Sequence, residues 1–358
     1  MTEKEKVDWV YSNLEDEKSR LIFTARKKLA INNEDKYIDE LVSNSTGGVG
    51  SRWYPEKKEE LVKILRERNQ NIIIYGAGYF GKQVLELCTQ GGLSVDFFCD
   101  TDAGRWGSQI QGVAIISPDK LCGMKEDYAI VVSPKYAYAE IVNKLIALGI
   151  DSNNIYKYVD YAIVSSEEQY FDQDIVRLED GEVFVDGGCL DLRTSKIFSN
   201  KMKERGFSVE RIYAFEPDEI NYQKCLERLS NSDLGKLDVI KAGLWSTDGY
   251  ANFSAEGTGG SHIILQGGGY IETVTLDATV KEKVTFIKMD IEGAELEALK
   301  GARNVILKYK PKLAICIYHK DEDIWEIPYF VKSLVPEYKL YIRHYSNWIH
   351  ETVLYAVI

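Results

Sequence analysis

The residues Val183-Phe184-Val185-Asp186 run directly into Gly187-Gly188-Cys189-Leu190-Asp191, and further along Tyr213-Ala214-Phe215 ends in Glu216-Pro217. An apolar strand ending in Asp at a glycine turn, then a second apolar strand ending in a carboxylate, is how a parallel sheet builds an adenosine pocket. The glycines let backbone approach a ligand closely, and the second acid accepts hydrogen bonds from a ribose diol. Glu216 is therefore the candidate ribose ligand, and the C-terminal half is expected to hold a nucleoside. Pro217-Asp218-Glu219 opens a helix, so the same carboxylate would also gain from a helix dipole. A second glycine turn, Gly76-Ala77-Gly78-Tyr79-Phe80-Gly81, follows the apolar run Asn71–Tyr75, and Asp100 ends the next one. That is a dinucleotide fingerprint in its proper context, and it makes Gly76, Gly78, Gly81 and Asp100 a candidate nucleotide site.

A third set of residues is more specific. Phe286-Ile287-Lys288-Met289-Asp290-Ile291-Glu292-Gly293-Ala294-Glu295-Leu296-Glu297, then Lys300-Gly301-Ala302, then Ile317-Tyr318-His319-Lys320, resemble the signature blocks of the FkbM-type methyltransferase family, over roughly residues 165 to 358. The resemblance implies S-adenosylmethionine as cofactor and a sugar hydroxyl as acceptor, in surface glycan or glycolipid biosynthesis, with a sugar, nucleotide-sugar or glycan as the partner molecule. It assigns Glu216 to the ribose, Asp186, Gly187 and Gly188 to the methionine and sugar edge of the cofactor, and Leu244 or Trp245 to the adenine ring. Methyl transfer from a sulfonium is an in-line displacement, so positioning and exclusion of water carry most of the work. An alcohol has a pKa near that of bulk water, about 15.7, and a base should take its proton as the methyl arrives. Asp290 and His319 are the candidates, with N-capping as a second use for Asp290; Glu292 and Glu295 are expected to serve the helix dipole or packing, with the pocket as a second use for Glu292. A cluster of His319, Asp321 and Asp323 with Asp290 would rest on loop proximity alone, and no metal is expected. Leu192 stands where many family members carry glycine, and a leucine there would narrow the approach to the cofactor.

These residues must be positioned by strands. Asn71–Tyr75, Val95–Asp100 and Tyr128–Val132 alternate with helical segments, so a small βαβ domain is expected to end near Ile150 to Tyr158. The pattern resumes with runs at 183–186, 211–215, 237–242, 285–289, 312–318, 339–343 and 353–358. The expected fold is α/β, with two doubly wound Rossmann-like domains. The C-terminal one is a seven-stranded class I methyltransferase sheet whose last two strands, lacking a helix between them, form an antiparallel edge pair. Asp186, Glu216, Gly243-Leu244-Trp245, Asp290 and His319 then follow successive strands into one crevice. Apolar spacing from Val7 to Val42, broken at Asn32-Asn33, predicts two short helices, and 44–51 reads as a loop. The expected division is a helical arm over 1–50, a Rossmann-like recognition domain over 51–160, and the methyltransferase domain over 161–358.

Length and composition agree with this reading. A chain of 358 residues exceeds the usual single core. A net charge of -12 and a pI near 5.1 offer no basic field for nucleic acid or anionic lipid. The six cysteines form no Cys-x-x-Cys pair, so neither zinc nor a disulfide framework is indicated. The charged N-terminus and the lack of a long apolar run predict no signal peptide, no membrane span and a cytoplasmic protein. His262 lies in an expected insertion over the acceptor, and His344 and His350 in packing roles near the sheet edge. The N-terminal domain is expected to serve substrate recognition or homo-oligomer contact. Two other classes compete: an NAD-dependent sugar oxidoreductase or epimerase using the Gly76 turn, and a catalytically silent nucleotide-binding module. The first lacks a Tyr-x-x-x-Lys pair after the third N-terminal strand.

Overall fold

The computed structural model describes the whole chain except residues 33, 47–54, 122–127, 135–137, 159–167, 231–233, 256, 258–259 and 265. The chain divides into two units: Ser51–Val164, and Met1–Gly50 together with Ser165–Ile358. Most of the loop expected at 44–51 lies outside the described residues, as does the segment just beyond the expected end of the βαβ domain.

In the smaller unit, β1 (Asn71–Tyr75), β2 (Phe97–Cys99), β3 (Gln109–Ile110), β4 (Val113–Ile116), β5 (Tyr128–Val132) and β6 (Ile155–Lys157) form one sheet in the order β3-β4-β2-β1-β5-β6. All pairings are parallel except β3 with β4. β1 is apolar on both faces because both are covered. Ile72 and Ile74 pack with Leu61, Leu65, Val84 and Cys88, while Ile73 and Tyr75 pack with Ile141 and Leu145.

In the larger unit, β7 (Glu182–Gly187), β8 (Val209–Phe215), β9 (Leu237–Ile240), β14 (Phe286–Met289), β15 (Lys312–Cys316), β16 (Lys339–His344) and β17 (Thr352–Val357) form a seven-stranded sheet, in the order β16-β17-β15-β14-β7-β8-β9. β17 pairs antiparallel with both β15 and β16, as expected for the edge pair. Between β9 and β14 lies a smaller sheet of β10 (Gly243–Leu244), β11 (Gly249–Ser254), β12 (His262–Ile263) and β13 (Gly269–Val274), ordered β10-β13-β11-β12. Phe184 stacks on Phe198 across one face of the main sheet, with ring centroids 4.4 Å apart, and Phe286 joins them. Val183 and Val185 face the opposite layer.

That opposite layer includes the N-terminal helices. Three helices form, Glu3–Ser12, Glu17–Asn32 and Asp35–Ser43, where two were expected. The additional break falls at Asn13: its backbone N–H and its side-chain amide both bond to carbonyls of the preceding turn, so the helix ends there. Leu14 then bridges to Leu340 on β16. Val7, Val10, Ile22 and Phe23 join Val185, Ile287, Leu313 and Leu340 in one core, so the N-terminal helices contribute to this unit's hydrophobic interior.

Candidate functional site

The carboxyl ends of β7, β8, β14 and β15 set the candidate residues side by side. Lys288 on β14 is a lysine inside an apolar strand, 2 % exposed. Its ammonium lies 3.0 Å from Asp186 Oδ1 and donates to the carbonyls of Gly187 (3.1 Å) and Gly188 (2.8 Å). Asp186 is fully buried, and its other oxygen accepts from Ser195 Oγ at 2.7 Å. Burial alone would lower the Lys288 pKa, but Asp186 and Asp290 raise it above the ordinary value. Each Asp186 oxygen thus accepts one side-chain hydrogen bond, and Lys288 ties the acid to the carbonyls of the glycine turn. Gly188, at φ +70°, is required for packing: a Cβ there would sit 1.9 Å from the carbonyl oxygen of Asp290.

Glu216 follows β8 and is mostly buried. One oxygen accepts from the Leu190 N–H at 3.0 Å and the other from the Asp218 N–H at 2.9 Å. Burial outweighs those two bonds and pushes its pKa up to about 7. Leu190 and Leu192 both sit at positive φ, +55° and +62°, which explains a preference for glycine at the latter. Leu192 nevertheless turns its side chain into a buried cluster with Cys189, Ala214, Cys225 and Leu234. Leu244 is a core residue, whereas Trp245 is half-buried. Gly301 lets its helix close on that strand, because a Cβ there would lie 2.0 Å from the Trp245 carbonyl oxygen.

Asp290, beyond β14, is held by three side chains. Tyr170 donates to Oδ2 at 2.8 Å, Tyr318 donates to Oδ1 at 3.1 Å, and His319 Nε2 lies 3.4 Å from Oδ1. Burial opposes its charge, but Lys288, His319 and the Tyr170 hydroxyl prevail and hold the carboxyl below the usual carboxylate range. His319, beyond β15, also has Glu295 Oε1 2.9 Å from Nδ1 and Glu292 Oε2 3.6 Å from Nε2. Burial disfavours its charge, yet these carboxylates raise its pKa well above the ordinary value. Asp321 is exposed, and Asp323, buried and accepting from the Lys320 N–H, is near enough to feel the charges of Glu295 and His319 but its donor atoms do not converge with those of Asp290 and His319.

Asp218 was not singled out from the sequence. Its Oδ1 caps the helix Glu219–Ser230 through the N–H groups of Ile220 and Asn221, and its Oδ2 accepts from the Gly257 N–H and Ser261 Oγ. One carboxylate thus ties Gly257 and Ser261 to the start of this helix. Tyr170 was also missed, since no local pattern marks it. Lys288 was given no role either, although a lysine within an apolar strand, which requires a counter-ion once buried, is a signal for one. His344 is buried against Thr352 Oγ1 at 2.9 Å, and His350 packs edge-on to Tyr318.

In the smaller unit, Asp100 Oδ2 accepts from the Ala77 N–H at 2.7 Å, so this acid closes back on its own glycine turn. Gly81 is demanded by packing, its Cβ position lying 2.0 Å from the Gly76 carbonyl oxygen, whereas Gly78 faces open space.

Residues 194–346 match the family model described as the methyltransferase FkbM domain, and residues 68–156 match one described as C2185-like, N-terminal. The chain is 30% identical over 149 residues to the hexuronic acid methyltransferase AglP of Haloferax volcanii, a match covering 38% of this chain and 58% of that protein. It therefore spans under two thirds of that relative's length. Among solved structures, a methyltransferase FkbM from Methylobacillus flagellatus KT is 21% identical with a TM-score of 0.49, covering 94% of this chain and 98% of that one. A SAM dependent methyltransferase from Aquifex aeolicus is 15% identical with a TM-score of 0.32, covering 60% and 97%.

Proposed function

We propose that this chain, whose larger unit carries an FkbM-type methyltransferase domain over residues 194–346, methylates a sugar hydroxyl with S-adenosylmethionine as donor, in the assembly of a glycan or glycolipid. The observation that carries the reading is Glu216: a largely buried carboxylate beyond β8 that accepts only two hydrogen bonds, both from backbone N–H groups, and whose pKa burial pushes up to about 7. A ribose diol supplies two further donors and fits that deficit. Bound S-adenosylmethionine supplies an electrophilic methyl carbon and leaves as S-adenosylhomocysteine when the carbon–sulfur bond breaks.

The chain's own residues then have distinct tasks. Glu216 orients the cofactor. Lys288 and Asp186 hold the Gly187–Gly188 turn rigid under it. Asp290, ionised and aimed by Tyr170 and Tyr318, receives the acceptor hydroxyl proton as the new carbon–oxygen bond forms. The segment pinned by Asp218 helps to exclude water. The match to a protein named for hexuronic acid methylation supports a glycan acceptor.

The test is to incubate the full chain with methyl-labelled S-adenosylmethionine and a panel of nucleotide-sugars and hexuronic acid glycosides. A labelled product stable to mild base, as an ether is, is the expected result. Label released by mild base would instead mark an ester on a sugar carboxylate. Cofactor binding without transfer to any acceptor would favour the binding-only reading.

A further inference from the structure

We propose that Asp290, Glu292 and His319 form a binding site for a divalent cation of the Mn²⁺ type. One donor atom from each lies within 4.8 Å of the other two. His319 Nε2 is 3.4 Å from Asp290 Oδ1 and 3.6 Å from Glu292 Oε2. Neighbouring ligands at right angles around an ion with bonds of about 2.1 to 2.2 Å stand roughly 3.0 to 3.1 Å apart. The two edges at His319 therefore lie within about 0.6 Å of the spacing on a coordination face, and the third, between the two carboxylates, is within 4.8 Å.

The second observation is independent of the acids. The His319 side chain is only 8 % exposed, yet neither ring nitrogen makes a hydrogen bond, and Nε2 is aimed between the two carboxylates. A buried polar atom in that condition calls for an explanation, and an ion is one that fits its surroundings. The opposite ring nitrogen supports the same conclusion. Nδ1 faces Glu295 Oε1 at 2.9 Å, and that oxygen of the fully buried Glu295 is itself fixed by the Ile291 N–H at 2.8 Å. A carboxylate behind an imidazole is the arrangement that orients metal-binding histidines. Two tyrosine hydroxyls fix Asp290 in the same way.

One imidazole and two carboxylates make a mixed nitrogen and oxygen donor set, which suits Mn²⁺ better than softer ions. Three protein ligands leave further coordination positions for water or an acceptor oxygen. Cation binding does not depend on the methyltransferase reading; with the ion in place Asp290 is its ligand, and the proton-accepting role given to Asp290 above belongs to the ion-free site.

The experiment titrates chelator-treated full-length protein with Mn²⁺ and follows the free ion by electron paramagnetic resonance. The expected result is saturable binding at a single site, weakened at least about tenfold in His319→Ala and in Glu292→Gln, and unchanged in Asp321→Asn on the exposed part of the same loop. Thermal unfolding of each variant without metal shows that it is folded. Absence of binding to the native protein, or binding equally tight in Glu292→Gln and His319→Ala, overturns the site and leaves an ion-pair cluster alone. Neither result needs methyl transfer, so the site fails or stands separately from the proposed activity.

Discussion

Lys288 and Asp186 show how much of this protein's interior depends on one ion pair. Both are almost wholly enclosed, and Ser195 and two carbonyls complete their hydrogen bonding. Removing one partner of such a pair strands a buried charge, at a cost of about 3 to 5 kcal/mol. Lys288→Met should therefore lose about that much stability in urea unfolding, and Asp186→Asn combined with it should recover a substantial part. Additive losses would show the pair to be uncoupled. At Asp290, replacement by Ala should leave cofactor binding intact while turnover falls about 10²- to 10⁴-fold; unchanged turnover would remove Asp290 from the chemistry. At this scale the sequence was only partly legible. Asp290, His319 and Glu216 stand out by motif and strand position, whereas Tyr170 reaches Asp290 from far along the chain without any local signal. Leu192 illustrates the reverse case: its type suggested a blocked crevice, and only its backbone angle and packing show the side chain directed into the core.

Elements were easier to read than side-chain roles, because hydrophobic runs bounded by glycine turns mark buried parallel strands directly. All seven strands of the larger sheet fall where those runs lie, and the lack of a helix before the last strand marks the antiparallel edge. The N-terminal helices were under-counted because Asn13 ends the first one within a continuous apolar spacing. The small sheet of β10 to β13 was only partly anticipated, and its link to the rest depends on Asp218. Asp218→Ala removes the cap of helix Glu219–Ser230 and both bonds to the 257–261 segment. The variant should lose about 1 to 2 kcal/mol from the cap. Its Michaelis constant for the acceptor should rise more than that for the cofactor; equal effects on both would show that the segment does not bear on the acceptor.

Taken as a molecule, the larger unit is stabilised by parts far apart in sequence. Arg26, on the second N-terminal helix, donates to the Ile349 carbonyl at 2.8 Å and to the Tyr318 carbonyl at 3.4 Å, so the arm supports the loop that aims Tyr318 at Asp290. Asp16 pairs with Arg343 on the edge strand. Beside Arg343, His344 is enclosed; burial, reinforced by nearby Arg26, pushes its pKa down to about 3. A group depressed in the folded state contributes stability that is complete above its unfolded value, near 6.5, and is lost as pH falls toward its folded value. Between pH 6.5 and 5 this amounts to about 2 kcal/mol. Urea unfolding of native protein and His344→Gln at pH 7.5 and pH 5 checks it: the native protein should lose about that much more than the variant on acidification. Equal losses would mean that His344 does not set the pH dependence.

The central claim is that adenosine lies at the carboxyl ends of the larger sheet with its diol on Glu216. Calorimetric titration of S-adenosylhomocysteine into native protein, Glu216→Ala and Glu216→Gln at pH 8 and pH 6 tests it most directly. Hydrogen bonds to a charged partner contribute about 1.5 to 3 kcal/mol, so Glu216→Ala should bind at least about tenfold more weakly at pH 8. Native affinity should fall as pH drops through about 7, where Glu216 takes up a proton, and Glu216→Gln should show no such fall. Full affinity in Glu216→Ala, with native and Gln forms responding alike to pH, would contradict the account.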